Sequence, residues 1–452
     1  MLGDAVRLRA LSAPSLDNAS MPMKLPRPDL PPAVYWIAAA AFLLRLGARL
    51  GQGIDQFWVN GYTLFFEIAQ SIAAGKGIAL ANGVPTAFRV PLYPVLLAGL
   101  TLGHRWFWPI AIAQSLIGAG TTFCAALLAR KMFIGPGSKS AATLAAAMTA
   151  VYPYYVVHDT ALQETSLFTL LTLIAVFLAL CAVRSGSLAP AALCGLILGL
   201  DVLTRSPIAP FAVLAPLWLM ARRRFTGGLV CAGVLAATVA PWLIRNDLLL
   251  GAPVLTTEAG FELWNGNNAT LFDYYPMQSV DVSIAAHVDA LDAIDPADLP
   301  PAGSSDLAVD RWFRQKALAY MRAHPSQTVG NGFRKIGATF DWLPTPRRSL
   351  AQTLAHAFSF GPVMLLGLWG MIRRRADWRD DSLIYLLFAQ FLAVTAVYFG
   401  QTNHRVFLDV YFIVFAAGAL QSLVWLRKPL YSANLTLSEK ITCPEKAKRR
   451  VI

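Results

Sequence analysis

Long apolar runs, separated by short polar and often basic segments, set the pattern of this chain. They cover residues 33–51, 107–129, 140–157, 162–183, 188–204, 206–221, 226–244, 350–372, 382–400 and 406–426. Roughly 20 apolar residues cross a hydrocarbon core of about 30 Å as a helix, so the pattern predicts ten membrane helices. A shorter run at 92–103 is expected to enter and leave by one face or to lie at the interface; counted as a span, it makes eleven. The stretches 52–106 and 245–349 are too long for simple connectors. Within the second, "DRWFRQKALAYMRAHP" has helical apolar spacing, whereas "DALDAIDPADLPPAGSSD" reads as irregular chain.

Composition agrees with a bilayer. The chain is 56% hydrophobic and 14% charged, against about 25% charged in soluble domains. A net charge of +12 would suggest nucleic acid in a soluble protein. Here the basic residues cluster between apolar runs, as in Arg222-Arg223-Arg224, Arg373-Arg374-Arg375, Arg427-Lys428 and the terminal KAKRR. That is the positive-inside bias that orients helices, and no nucleic-acid partner is expected.

The ten-span arrangement puts a tail (1–31) and the C-terminal segment 427–452 in the cytoplasm. A transmembrane module (32–245, with an outer loop at about 52–106), an outer loop or small domain (246–349) and C-terminal helices (350–426) lie between them. No Lys or Arg occurs from Asn246 to Asp310, where eleven Asp or Glu do, as an extracytoplasmic loop requires. The N-terminus has no cleavable signal pattern, and Met21 or Met23 is an alternative start. The five cysteines offer no disulfide framework or metal spacing, and no internal repeat is evident.

This topology gathers ionisable groups at one face: Asp55, Glu67, Arg89, Glu164, Arg205, Arg245 and Arg405, joined by Lys335 and His404. A charge at membrane depth costs about 2.5–3.5 kcal/mol on insertion scales, so such groups face a cavity or a partner. Arg89 sits in "PTAFRVPLYP", where prolines fix the chain direction. Its guanidinium suits phosphate oxygens; a snorkelling interface anchor is the plainer account. Arg205 and Arg405 repeat the situation, and the three together make a candidate cradle for an anionic head group. Asp55, just after the first helix, reads either as a cap or salt-bridge partner or as a base. "WNGNNATLFDYY" offers amides and aromatics, Asn267 and Asn268 among them, that suit a sugar site or ordinary loop packing. Its Asn268-Ala269-Thr270 also spells a glycosylation sequon.

These residues, in this order, resemble the bacterial dolichyl-phosphate-mannose–protein mannosyltransferase-like (PMT-like, ArnT-like) glycosyltransferases of the GT-C superfamily. Asp55 and Tyr62 are followed by Ala69, Gly75 and Gly77, then by Arg89, Pro91, Tyr93 and Pro94. "LQETSLFTLL" supplies Glu164, "GLILGLDVLTRSPIAP" Arg205, "APWLIRN" Arg245 and Asn246, and "FELWNGNN" Gly266, Asn267 and Asn268. "AHPSQTVGNGFRKI" and "NHRVFLDVYFIVFAAGAL" complete the order across roughly residues 33–425. Gln56 follows Asp55 where many relatives carry a second acid, and Arg-Val-Pro replaces the commoner Arg-Pro-Pro.

The resemblance implies an all-α polytopic GT-C fold in a bacterial plasma (inner) membrane, with the active site on the extracytoplasmic side. It implies transfer of a hexose or pentose, with inversion, from a polyprenyl-phosphate-linked donor to a lipid, glycan or protein acceptor. Asp55 would be the base and Arg89, Arg205 and Arg405 would hold the donor phosphate. Tyr62, Tyr93, Glu164, Arg245, Asn267, Asn268, Lys335 and His404 are possible substrate contacts. No cofactor is implied with certainty, and the missing second acid leaves divalent-metal dependence open. Two rivals stand beside it. A lipid-linked sugar flippase or transporter would place charged groups at mid-membrane depth, where Asp201 is the main exception to the one-face pattern. A polysaccharide ligase or polymerase would use similar arginines with a polyprenyl-diphosphate donor.

Overall fold

Each expected span is helical in the computed structural model, which describes residues 29–53, 57–58, 63–275, 303–342 and 350–426. The first spans are α1 (Pro32–Gln52), α4 (Phe107–Met132), α5 (Ser138–Val151) with α6 (Pro153–Thr160), α7 (Thr165–Ser185) and α8 (Leu188–Val202). The rest are α9 (Ala209–Ala221, entered through a 3₁₀ turn at Ser206–Ile208), α10 (Phe225–Leu250), α14 (Leu350–Arg373), α15 (Trp378–Val397) and α16 (Val406–Leu426). Between them lie α2 (Thr63–Ala73), α3 (Leu92–Thr101), α11 (Ala259–Asn265), α12 (Asp306–Ala323) and α13 (Pro325–Thr339). Among the described residues every regular element is a helix, and six helical stretches are long and apolar enough to cross a membrane. Asp55, Tyr62, Cys443, both tails and most of "DALDAIDPADLPPAGSSD" lie outside the described residues.

One local departure from the sequence reading has a physical cause. The run 140–157 is not one helix: Tyr152, with φ −64° and ψ 116°, separates α5 from α6. Proline at 153 pushes the residue before it out of the helical region. The run 92–103 yields ten helical residues, about 15 Å at 1.5 Å per residue, which is half of what a crossing needs.

The helices pack without hydrophobic drive against lipid, so close contact between small residues matters more than apolarity. On α8, Gly195 and Gly199 form a small-xxx-small pair against α10. Gly195 abuts the Cys231 carbonyl, and a side chain at Gly199 would meet Thr238. Gly367 and Gly370 of α14 likewise receive the Phe412 and Phe415 backbone of α16. The latter helix is apolar on every side and buried from Val406 to Ala419, as an all-round apolar helix should be. It forms the centre of the main core with Phe168, Leu387 and Phe391.

Gly195→Ala is expected to destabilise the protein by about 1–3 kcal/mol, the usual cost of overpacking, read from thermal unfolding in detergent. Gly233→Ala on the same helix pair is the control, since nothing lies within 4 Å of its new methyl group. Equal melting of the two variants would remove the α8–α10 seam from the account.

Candidate functional site

The loop carrying Arg89 is held from four directions. Gly75 and Gly77 both adopt positive φ, 75° and 72°, a conformation only glycine takes freely, and they turn the chain out of α2. A tight turn then brings Ala79 opposite Pro85, and Thr86 N–H donates to the Ile78 carbonyl. Arg245, at the end of α10, donates to the Ile78 and Thr86 carbonyls and so clamps both sides of this hairpin. Thr257 N–H and the Thr256 hydroxyl donate to the Ala87 and Phe88 carbonyls. Leu92 N–H donates to Leu203 O, tying the start of α3 to the end of α8.

This fixed loop points Arg89 at a carboxylate. Its Nη1 lies 2.6 Å from Glu258 Oε1 and 2.7 Å from Oε2, and the guanidinium stands 5.3 Å from both the Phe65 and Phe88 rings. Glu258 is presented by a short segment leaving α10, where Asn246 donates to Val254 O and Trp242 to Leu255 O.

A second pair lies beside the first. Arg205 Nε is 3.6 Å from Glu164 Oε1, with its guanidinium 5.7 Å from the Phe168 ring. The charges of Arg89, Arg205, Glu164 and Glu262 all act on Glu258. Burial, reinforced by Glu262 and Glu164, pushes its carboxyl up to about 8 against the opposing pull of Arg89 and Arg205. Tyr93 is fully buried, accepts a hydrogen bond from Gln114 and packs edge-on to Phe65, 5.2 Å away. His404 feels Arg205 too; burial first and that cation second push its imidazole down to about 3, so it stays neutral.

Arg405 is placed differently from Arg89 and Arg205. It is fully buried, 3.4 Å from Asp409 one turn on, stacked 3.3 Å from the Phe360 ring centre, and donating to Thr339 O. Asp409 in turn accepts from the Tyr152 hydroxyl at 2.7 Å. Its field still reaches His158, which also feels Arg205.

Four of the possible substrate contacts bond backbone groups. Lys335 directs its three donors at the Gly266, Val397 and Tyr398 carbonyls, with burial holding its ammonium down to about 8. Asn267 bridges Leu263 O and Val397 O, and Asn268 caps Trp264 O and Asn265 O. Arg245 is the hairpin clamp already described. Among the described residues no group of three His, Cys, Asp or Glu could hold a metal ion.

Glu258 is the residue that sequence reasoning missed. It is one of eleven acids between Asn246 and Asp310, and nothing in its spacing marks it out. Asp159 and Arg45 were also missed; they form a buried ion pair between α6 and α1.

No curated protein matches the chain. The crystal structure of ArnT from Cupriavidus metallidurans bound to undecaprenyl phosphate aligns over 90% of this chain and 81% of that one, at 14% identity and a TM-score of 0.37. Residues 90–244 match the family model described as dolichyl-phosphate-mannose-protein mannosyltransferase, a segment that includes Tyr93, Glu164 and Arg205. Over that segment the chain is similar to the dolichyl-phosphate-mannose-protein mannosyltransferase family.

Proposed function

We propose that the protein transfers a sugar from a polyprenyl-phosphate donor to an acceptor hydroxyl on the extracytoplasmic face of a bacterial inner membrane. The observation that carries the reading is the convergence of Arg89 and Arg205. They come from segments more than a hundred residues apart, yet both act on Glu258 beside Tyr93 and Glu164. Two guanidiniums at one place match a lipid phosphate, which accepts bidentate hydrogen bonds.

The chemistry is a single displacement. The acceptor oxygen attacks the anomeric carbon, and the bond from that carbon to the phosphate oxygen breaks on the opposite face, inverting the centre. Asp55 takes the hydroxyl proton. The lipid phosphate leaves as a stable anion, so it needs cations rather than the second carboxyl acid of a glycosidase. Arg89 and Arg205 stabilise the charge as it develops, with Arg405 adding its field from inside the core. Glu164 and Tyr93 hold Arg205 and the aromatic wall in place, while Arg245, Asn267, Asn268 and Lys335 fix the loops around them.

The flippase reading draws on Asp201, a buried acid on α8 bonded by the Thr172 hydroxyl. Transfer separates the two. Membranes of the native host, charged with labelled polyprenyl-phosphate sugar, are expected to glycosylate an endogenous acceptor only when the protein is present. Arg205→Ala is expected to raise the donor KM about 10- to 100-fold, the worth of a charge-assisted hydrogen bond. Transfer no higher than in an empty control would put the flippase first, and an absolute need for a diphosphate donor would favour the polymerase or ligase.

A further inference from the structure

The donor phosphate, if it binds Arg89, meets a guanidinium that already has a carboxylate on it. Both Glu258 oxygens lie within 2.7 Å of the same Arg89 nitrogen, the place a phosphate oxygen would take. The local charges are also unfavourable to an anion: Glu262 and Glu164 add their negative charge to that of Glu258, against the pull of Arg89 and Arg205. Other acids packed nearby are engaged elsewhere. Asp306 accepts from the Thr86 hydroxyl, and Asp310 accepts from Gly260 N–H and from Arg314.

Resting on the lipid-phosphate reading above, we propose that Glu258 is a positioning residue that holds Arg89 in the empty site and is displaced from it by the donor phosphate. Three features support an exchange rather than a permanent bridge. Arg89 is fixed by its loop, not by Glu258 alone, since Thr256, Thr257 and Arg245 hold residues 86–88. Phe65 and Phe88 stand close to the guanidinium, which keeps it oriented when its partner changes. Glu258 is also costly to keep ionised among two other carboxylates, so a phosphate that takes over Arg89 leaves it free to become neutral by binding a proton.

The exchange couples donor binding to pH with a defined sign. Below about pH 8 Glu258 carries its proton and holds Arg89 only through a neutral carboxyl oxygen, which a phosphate displaces more easily than a carboxylate. As pH rises through that value the carboxylate forms and the donor must displace it. Affinity therefore falls with rising pH, and the fall belongs to Glu258.

The test measures binding of undecaprenyl phosphate to the full-length protein in nanodiscs from pH 6.5 to 9. Wild type is expected to lose about tenfold in affinity across the range, by proton linkage at one group. Glu258→Gln keeps the shape and an acceptor for Arg89 but not the charge; it is expected to bind about tenfold more tightly than wild type at pH 9, with a nearly flat profile. A merely structural Glu258 would lower affinity at every pH and leave the slope unchanged, which would overturn the inference. Arg89→Ala separates this from the parent reading. If it binds undecaprenyl phosphate as wild type does, or if wild type does not bind it at all, the phosphate reading falls and the exchange with it. If Arg89→Ala binds poorly while Glu258→Gln copies wild type at every pH, the exchange alone falls.

Discussion

Asp55→Asn is expected to lower the rate of sugar transfer by about 10²- to 10⁴-fold, the range for loss of a positioned general base, with protein level and donor binding little changed. The proposed reaction asks for one proton acceptor and no acid, because a lipid phosphate leaves without protonation. The acid–base work therefore falls on one carboxylate, and asparagine keeps its size and hydrogen bonding while removing its ability to take the proton. The described residues on either side of Asp55 are firmly held. Arg49 anchors the end of α1 by donating to Gly53 O and Thr160 O. Phe57 packs into the same aromatic cluster as Phe65 and Tyr93, and Phe65 stands against the Arg89 guanidinium. Single-turnover transfer in reconstituted vesicles, saturated with donor, isolates the chemical step. Equal rates for Asp55→Asn and wild type would remove Asp55 from the chemistry and return it to the role of a cap or salt-bridge partner.

The helices were legible because their signal is redundant. A run such as 406–426 is apolar at nearly every position, and no local rule opposes the reading. Helix α12 was legible by spacing, with Leu307, Asp310 and Ala317 facing inward. Where a local rule did intervene, at Tyr152-Pro153, the run of apolar residues hid it. The site was harder to read. Arg89 and Arg205 stood out because a fixed charge beside a membrane helix is unusual, and the structure pairs them with Glu258 and Glu164, whose charges act on each other. Arg405 looked the same in sequence, yet Asp409 four residues later, on the same helical face, makes it an internal ion pair. Lys335 and Arg245 were visible as charges, but their carbonyl partners come from distant loops that no local pattern specifies. Glu258 has no signal of its own: its meaning depends on a loop 169 residues away in the chain.

The largest effect on stability is expected at Arg45 and Asp159. Arg45 is fully buried on α1 and donates to Asp159 on α6, to Ala41 O and to Ala150 O. Gly118 of α4 lies against the pair so closely that any side chain there would strike both partners. Three helices thus meet around one desolvated ion pair. Removing one partner strands the other without water, which costs about 3–5 kcal/mol. Asp159→Leu and Arg45→Met are each expected to lose that much in thermal unfolding in detergent. The double variant is expected to recover most of it, because two apolar side chains of similar volume replace a pair whose desolvation cost rivals its attraction. A double variant no better than the worse single would show that the backbone bonds of Arg45, rather than its charge, hold α1 to α5. The distinction reaches the chemistry, because α1 leads into the segment that carries Asp55. A pair that only holds the helices leaves transfer intact once the double variant folds. A pair that sets the register of α1 leaves the folded double variant slow, with donor binding retained.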